Sequence, residues 1–109
     1  MAFGVTPIPL WMLGDSMLVS VPDGHGGFSE PVEVTRVRFE EEQAVSDDAH
    51  RSADAGGGTV FVDAANSHGA FEIPVGSRVE IGGVSYFVRK CKRRGEFGSK
   101  VHHWEVEVS

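Results

Sequence analysis

The C-terminal segment of this chain alternates between apolar and polar side chains. Trp104, Val106 and Val108 fall on one side of an extended chain, and Glu105 and Glu107 fall on the other. Because successive side chains of a β-strand point to opposite faces, this pattern predicts a strand with one buried face. A second segment, rich in β-branched and aromatic residues, precedes it in the chain. These patterns favour a fold built from β-sheet.

A two-residue glycine turn joins two further apolar segments. Val79 and Ile81 alternate with charged residues just before Gly82 and Gly83, and apolar residues resume directly afterwards. Glycine pairs favour the two-residue β-hairpin turn, because both central residues need a positive φ angle. The sequence therefore predicts a β-hairpin over residues 78–92.

Glycines and prolines divide the chain into short strand-like segments. An apolar run at 10–13, following Pro7 and Pro9, is expected to form a helical turn. Six or seven short strands with glycine turns are typical of small barrels and sandwiches. We therefore predict one all-β domain over residues 1–109, a six- to seven-stranded β-barrel or sandwich with one long loop. The predicted strands are 17–21, 32–39, 59–63, 71–74, 78–81, 84–92 and 101–108.

The second predicted strand contains a break in its alternation. Val32 and Val34 share one face of the segment, whereas Val37 and Phe39 share the other. A strand changes phase in this way through a β-bulge, which adds one residue opposite the neighbouring strand. We predict a bulge or a sharp bend at residues 35–36.

Residues 41–58 form the least apolar stretch of the chain and end in a tract of three glycines. Loops of this length are uncommon inside compact domains, and they are usually functional or disordered. We interpret the segment as a long flexible loop that projects from the barrel. Its acidic residues are Glu41, Glu42, Asp47 and Asp48.

Charge and cysteine content exclude several classes of protein. The net charge of −6 disfavours a general nucleic-acid binder, which would normally be basic. One cysteine, Cys91, leaves no internal disulfide framework. No apolar run is long enough to span a membrane, and the N-terminus lacks the basic region of a secretory signal.

The candidate catalytic and metal-binding residues are more simply explained as structural. His102 and His103 are adjacent on a predicted strand, so they are expected to point to opposite faces and not to chelate one ion. Asp63, Asn66 and Ser67 follow a strand, where such residues usually bind their own backbone.

Catalytic signatures are missing as well. The chain has no Gly-x-Ser-x-Gly motif, and Cys91 lacks the local features of a nucleophile, although nearby cations could lower its pKa. We predict no enzymatic activity, no metal and no cofactor.

The run 89–94 concentrates five cations in six residues. It could contact nucleic-acid phosphate or an acidic patch on a neighbouring protein, or it could be a charged strand edge that blocks unwanted pairing. The apolar turn at 10–13 is a second surface that could dock on a partner. The candidate partner-contact residues are Leu10, Trp11, Leu13, Arg89, Lys90, Arg93 and Arg94.

Three segments carry a family resemblance. The runs 60–67, 75–88 and 102–108, read as Val-Phe-Val-Asp-Ala-Ala-Asn-Ser, Val-Gly-Ser-Arg-Val-Glu-Ile-Gly-Gly-Val-Ser-Tyr-Phe-Val and His-His-Trp-Glu-Val-Glu-Val, resemble minor capsid proteins of tailed phages and prophages of Gram-positive bacteria. The opening segments 7–13 and 30–40 look like the same family. The resemblance covers nearly the whole chain except residues 41–58.

The family is similar to head–tail connector and stopper proteins, which are small β-barrels assembled as a ring beneath the portal and its adaptor. The resemblance implies a structural virion protein, assembled in the host cytoplasm, that closes the portal channel and provides a platform for the tail. Its implied partners are portal and adaptor proteins, tail components, other copies of the chain and, non-specifically, packaged DNA. Loop 41–58 would then be a gate across the DNA channel. The alternative is a small β-barrel module that binds nucleic acid or protein.

Overall fold

The computed structural model describes residues 6–42, 56–95 and 100–109. Within these residues, six antiparallel strands close into a barrel in the order β1-β2-β3-β6-β5-β4. This confirms the predicted all-β fold. A 3-10 turn at Leu10–Met12 precedes the barrel, as the apolar run predicts. The strands are β1 (Asp15–Ser20), β2 (Val32–Glu42), β3 (Gly57–Asp63), β4 (Arg78–Ile81), β5 (Val84–Gly95) and β6 (Val101–Val108).

The barrel interior is filled mainly by valine. Strand alternation directs these side chains inward from every strand, together with Met17, Ile81 and Tyr86, and Ile73 joins them from the segment before β4. Burying one such side chain stabilises the fold by roughly 1.5–3 kcal/mol relative to leaving it exposed. The fully buried valines are Val19, Val34, Val37, Val60, Val62, Val79, Val88 and Val106.

The predicted bulge in β2 is confirmed. Asp15 pairs with Val37 and Ser16 pairs with Thr35, which leaves Arg36 as the extra residue. Arg36 has a φ angle of 57°, in the left-handed region that a bulge residue often adopts. The bulge restores the phase of the strand, so that Val34 and Val37 are both buried in the barrel.

Strands β2 and β3 extend further than the sequence predicts. Glu41 pairs with Gly58 and Glu42 pairs with Gly57, so these four residues belong to the sheet and not to the predicted loop 41–58. A Cβ atom on Gly58 would clash with the carbonyl oxygen of Glu40. This close backbone approach explains the glycine. Asp47 and Asp48 lie outside the described residues.

The hairpin between β4 and β5 forms as predicted, with φ angles of 58° at Gly82 and 80° at Gly83. One other prediction is wrong. Residues 71–74 do not form a strand, although burial of Ile73 fastens them to the barrel. In β5, a register shift between Val88 and Lys90 turns Cys91 toward the core.

Candidate functional site

An N-terminal arm (residues 6–9) lies against the outer side of the barrel at the end of β3. Ile8 is the residue that is anchored there. Its N–H donates to Asp63 Oδ1 at 3.0 Å, and its carbonyl oxygen accepts from Asn66 Nδ2 at 2.8 Å. Pro7 and Pro9 lack an N–H, so Ile8 holds the one backbone donor among these three residues. The two side chains therefore bind both backbone groups of the arm's central residue.

Asp63 is fully buried even though strand alternation points it outward. Its Oδ2 accepts hydrogen bonds from the backbone N–H groups of Ala65 and Asn66, at 3.0 and 2.8 Å. Ser67 Oγ accepts from the backbone N–H of Asp63 and donates to the carbonyl oxygen of Arg36. The predicted role of these residues in binding their own backbone is confirmed.

Asp63 and Asn66 have a second role that was not predicted from the sequence, which is to hold the arm. A signal was present in the proline-flanked Ile8, because an extended segment with a lone backbone donor needs an acceptor when it is packed against a protein. What the sequence does not show is which distant side chain supplies that acceptor.

His102 and His103 are brought together, and the prediction that they point to opposite faces is wrong. Their Nδ1 atoms are 2.8 Å apart, and their rings meet edge to face with centroids 5.0 Å apart. The cause is a register shift beside the pair, where Arg94 pairs with His103 but Gly95 pairs with Val101. The extra residue in β6 interrupts the alternation on which the prediction depended.

The outer ring nitrogens of the histidine pair each have a further partner. His102 Nε2 lies 2.8 Å from the carbonyl oxygen of Thr6, and His103 Nε2 lies 3.0 Å from Glu105 Oε2. The hydrogen bond from His103, followed by that from Arg94, lowers the pKa of Glu105 below its ordinary value of 4.5. The pair thus links the arm to an ionised carboxylate on β6. Among the described residues, no group of three or more His, Cys, Asp or Glu side chains could hold a metal ion.

A mainly apolar groove of about 490 Å³ opens between the arm and the barrel. The arm residues and Met12 form one side, and Phe61 and His103 form the other. Arg38 and Glu40, which pair at 3.1 Å, line it as well. We call the outer surface formed by Phe61, Asp63, Asn66, His102 and His103 the arm-binding face.

A different surface lies on the outer side of β4 and β5. Phe28 and Phe87 are each more than one-third exposed, and their ring centroids are 6.3 Å apart. The Arg78 guanidinium lies 5.3 Å from the Phe28 ring, and that of Arg89 lies 5.9 Å from the Phe87 ring. Cations over ring faces are mutually attracted. We call these four side chains the aromatic face.

The basic run 89–94 is largely paired within the chain. Lys92 contacts Glu107 at 3.0 Å, and Arg94 contacts Glu105 at 3.2 Å. Arg93 binds Glu72 at 2.6 Å. Hydrogen bonds from Arg93, and then from Trp104, lower the pKa of Glu72. The run pairs with β6 along one side, whereas β4 pairs only with residues 84–87 of β5, so the interpretation as a charged strand edge stays a prediction.

The other predicted contact residues differ in exposure. Trp11 is 82% exposed and Leu10 is 51% exposed, whereas Leu13 is buried and anchors the turn. Arg89 donates to Ser109 Oγ, and Lys90 is exposed. Leu10 and Trp11, with Arg89 and Lys90, therefore remain accessible to a partner.

Cys91 is not an activated thiol. Burial is the main cause that raises its pKa, and the Glu72 carboxylate adds to the effect. The cations of the basic run were expected to be able to lower this pKa. Arg93 does lower it, but its effect is the weakest of those that act on the thiol. The thiol is therefore mostly protonated near neutral pH.

The fold and these faces together define a small closed β-barrel that displays accessible apolar and cationic side chains. The family model of the minor capsid proteins matches residues 18–108, and the chain belongs to this family of phage structural proteins. Neither the curated proteins nor the solved structures contain a match. Membership implies association with the virion and contact with its other components. Across residues 6–42, 56–95 and 100–109, no helix is long and apolar enough to cross a membrane.

Proposed function

We propose that this chain is a head–tail connector subunit of a tailed phage of Gram-positive bacteria, without enzymatic activity. In this role a ring of copies docks beneath the portal and adaptor, closes the DNA channel and offers a platform to the tail. The assembly forms in the host cytoplasm and remains in the virion. The family supplies the structural class, and the connector role is the proposal.

The observation that carries the proposal is the placement of exposed apolar side chains on two separate parts of a rigid barrel. Leu10 and Trp11 protrude from the turn before β1, and the aromatic face lies on β4 and β5. A subunit of a closed ring needs two different contact surfaces, because each head-to-tail interface joins one surface to the other. Aromatic and arginine side chains are those most often enriched at such interfaces.

The proposal is tested by measuring the mass of the isolated protein, alone and mixed with portal–adaptor complexes from its own phage. Co-migration as a stoichiometric ring is expected. Trp11→Ser and Phe87→Ser should each weaken this assembly at least about tenfold, as expected for a buried aromatic anchor. Val84→Ser changes another exposed apolar residue, at the β4–β5 turn, and serves as the control. A chain that ignores the portal would contradict the connector role.

The segment between β2 and β3 is proposed as the channel gate. Glu41 and Glu42 are exposed at the end of β2 and lead into this segment, which also contains Asp47 and Asp48. Acidic side chains repel DNA phosphate and would let it pass without sticking. Deleting residues 44–54 should leave ring assembly intact while packaged heads leak DNA. Unchanged DNA retention would count against a gate.

A nucleic-acid-binding module is the second candidate, and the aromatic face is the observation that favours it. Exposed aromatic rings interleaved with arginines are typical of surfaces on which unpaired bases stack. Against this, Arg78 and Arg89 already lie over the two rings, and the net charge is −6. Salt-sensitive binding of single-stranded DNA that Phe87→Ser abolishes would favour this candidate over the connector.

A further inference from the structure

The number of ring protons on His102 and His103 follows from the hydrogen bonds that the two rings make. The carbonyl oxygen of Thr6 can only accept, so His102 Nε2 must carry a hydrogen at 2.8 Å. The Glu105 carboxylate also accepts, so His103 Nε2 must carry one at 3.0 Å. The bridge between the two Nδ1 atoms, 2.8 Å apart, needs one hydrogen more. The two rings together therefore hold three ring protons.

Three ring protons on two imidazoles give the pair one positive charge. Two neutral rings carry two protons, and two imidazolium rings carry four. With two protons, either both lie at Nε2 and the Nδ1 lone pairs repel at 2.8 Å, or one lies in the bridge and one outer nitrogen loses its hydrogen bond. With four, two Nδ1–H groups would collide. Only the singly charged pair satisfies all three contacts at once.

The groups around the pair supply charges of both signs. Glu105 on β6 accepts from His103, and Arg94 on β5 competes for the same carboxylate at 3.2 Å. Asp63 on β3 lies opposite His103 in the sheet register. Phe61 packs near His103, and the paired Arg38 and Glu40 of β2 line the adjoining groove. Lys100 precedes the strand that carries both histidines.

The two ends of the pair are held with unequal strength. His103 binds a carboxylate, and hydrogen bonds to an ionised group are roughly twice as strong as those between neutral groups. His102 binds a neutral carbonyl of the arm. When the bridging proton is lost and the rings separate, His102 is therefore the ring that moves. Its movement breaks the contact with Thr6 and loosens the arm.

We propose that His102 and His103 form a proton-operated latch for the N-terminal arm, which holds the arm when the pair carries three protons and loosens it when the pair carries two or four. Release would expose Asp63 and Asn66, and it would remove one side of the groove beside Phe61. The latch belongs to the single chain, so it holds or fails independently of the connector role.

The test uses the full chain and two measurements by nuclear magnetic resonance. The first counts the ring N–H groups of both histidines from about pH 5 to pH 8, where histidine normally changes charge. The second measures the hydrogen-exchange protection factor of the Ile8 amide, which donates to Asp63. The factor is corrected for the intrinsic pH dependence of amide exchange. We expect the protection factor to fall roughly fivefold where the count drops from three to two, as for the loss of one hydrogen bond.

Variants separate the latch from a general effect of pH. His102→Gln places an amide donor near the position of Nε2, so it should hold Thr6 without titrating and abolish the pH response. His103→Gln removes the bridge acceptor and should abolish it too. His25→Gln alters an exposed loop histidine and should leave the response unchanged.

Two results would overturn the latch. One is a wild-type spectrum that never contains three ring N–H groups while Ile8 remains protected. The other is a constant protection factor across the pH at which the third proton is lost. Both are read from the wild-type protein, so the test does not depend on whether a variant folds.

Discussion

The arm-binding face and the aromatic face lie on the same barrel and arise from the same strand alternation, yet they differ in what covers them. On the arm-binding face, outward-pointing Asp63 is fully buried, because the chain's own N-terminal arm lies over it. On the aromatic face, outward-pointing Phe87 stays more than one-third exposed, although it is apolar. The first face satisfies its hydrogen bonds within the chain, whereas the second leaves apolar surface for another molecule.

The chemistry of each face matches this difference. A segment of backbone is best bound by side chains that form hydrogen bonds with its N–H and C=O groups. Asp63, Asn66 and His102 do so for the arm. Rings flanked by arginines suit a protein surface that supplies area and carboxylates. If the comparison is right, changes on the arm-binding face should cost folding stability, and changes on the aromatic face should cost assembly.

On the arm-binding face, the largest effect is expected for Asp63→Ala. The substitution leaves the N–H groups of Ile8, Ala65 and Asn66 without their acceptor, and it should lower the free energy of unfolding by about 3 kcal/mol. Urea denaturation measures the loss. Asp23→Ala is the control, because Asp23 accepts from two backbone N–H groups in an exposed loop where water can replace it. Equal losses for the two variants would contradict the role of the arm.

A smaller effect should accompany acidification. The pKa of Glu105 is lower in the folded protein than its ordinary 4.5, so its stabilising contribution is present above about pH 4.5 and is lost as the pH falls toward the folded value. The contribution is about 1 kcal/mol or less, because the ion pair with Arg94 is partly solvated. Unfolding curves at a series of acidic pH values measure it.

Glu105→Gln should flatten this acid dependence, while Glu80→Gln, on the outer side of β4, should leave it unchanged. If Glu80→Gln flattened the curve as much as Glu105→Gln does, the acid sensitivity would not belong to the arm-binding face.

On the aromatic face, Phe87→Ser should change the free energy of unfolding by less than about 1 kcal/mol, because the ring is already well exposed. The neighbouring Tyr86 points into the core, and Tyr86→Ser should cost about 3 kcal/mol or more. Thermal unfolding of the two variants compares adjacent residues of one strand. A large loss for Phe87→Ser would mean that the aromatic face stabilises the barrel itself.

The smallest effect is expected for Ser77→Ala. Ser77 Oγ is fully buried and has no hydrogen-bond partner among the described residues, so its removal should be neutral or should stabilise by up to about 1 kcal/mol. Ser67 is the matched buried serine, since its hydroxyl links Asp63 and Arg36. Ser67→Ala should cost about 1–2 kcal/mol by the same measurement. If Ser77→Ala lowered the free energy of unfolding as much as Ser67→Ala does, the Ser77 hydroxyl would have a hydrogen-bond partner.

Much of the fold could be predicted from short-range patterns. The β4–β5 hairpin follows from Gly82 and Gly83, and the bulge at Arg36 follows from the broken alternation in β2. The candidate site was harder to predict from the sequence. The wrong predictions there all concern features that leave no local signature. The bulge in β6 unites His102 with His103, and the register shift in β5 turns Cys91 inward, yet neither leaves an obvious break in the hydrophobic pattern.

Local periodicity by itself determined most of the strands and which of their apolar side chains face the core, because a strand places successive residues on opposite faces. The extra pairs that lengthen β2 and β3 depend instead on the close backbone approach at Gly58. Only the tertiary structure decided what covers each face. The bonds from Ile8 to Asp63 and from Thr6 to His102 join residues that are far apart in the chain. Such contacts need the strand ends of the closed barrel to lie side by side, and no local pattern in the sequence specifies that arrangement.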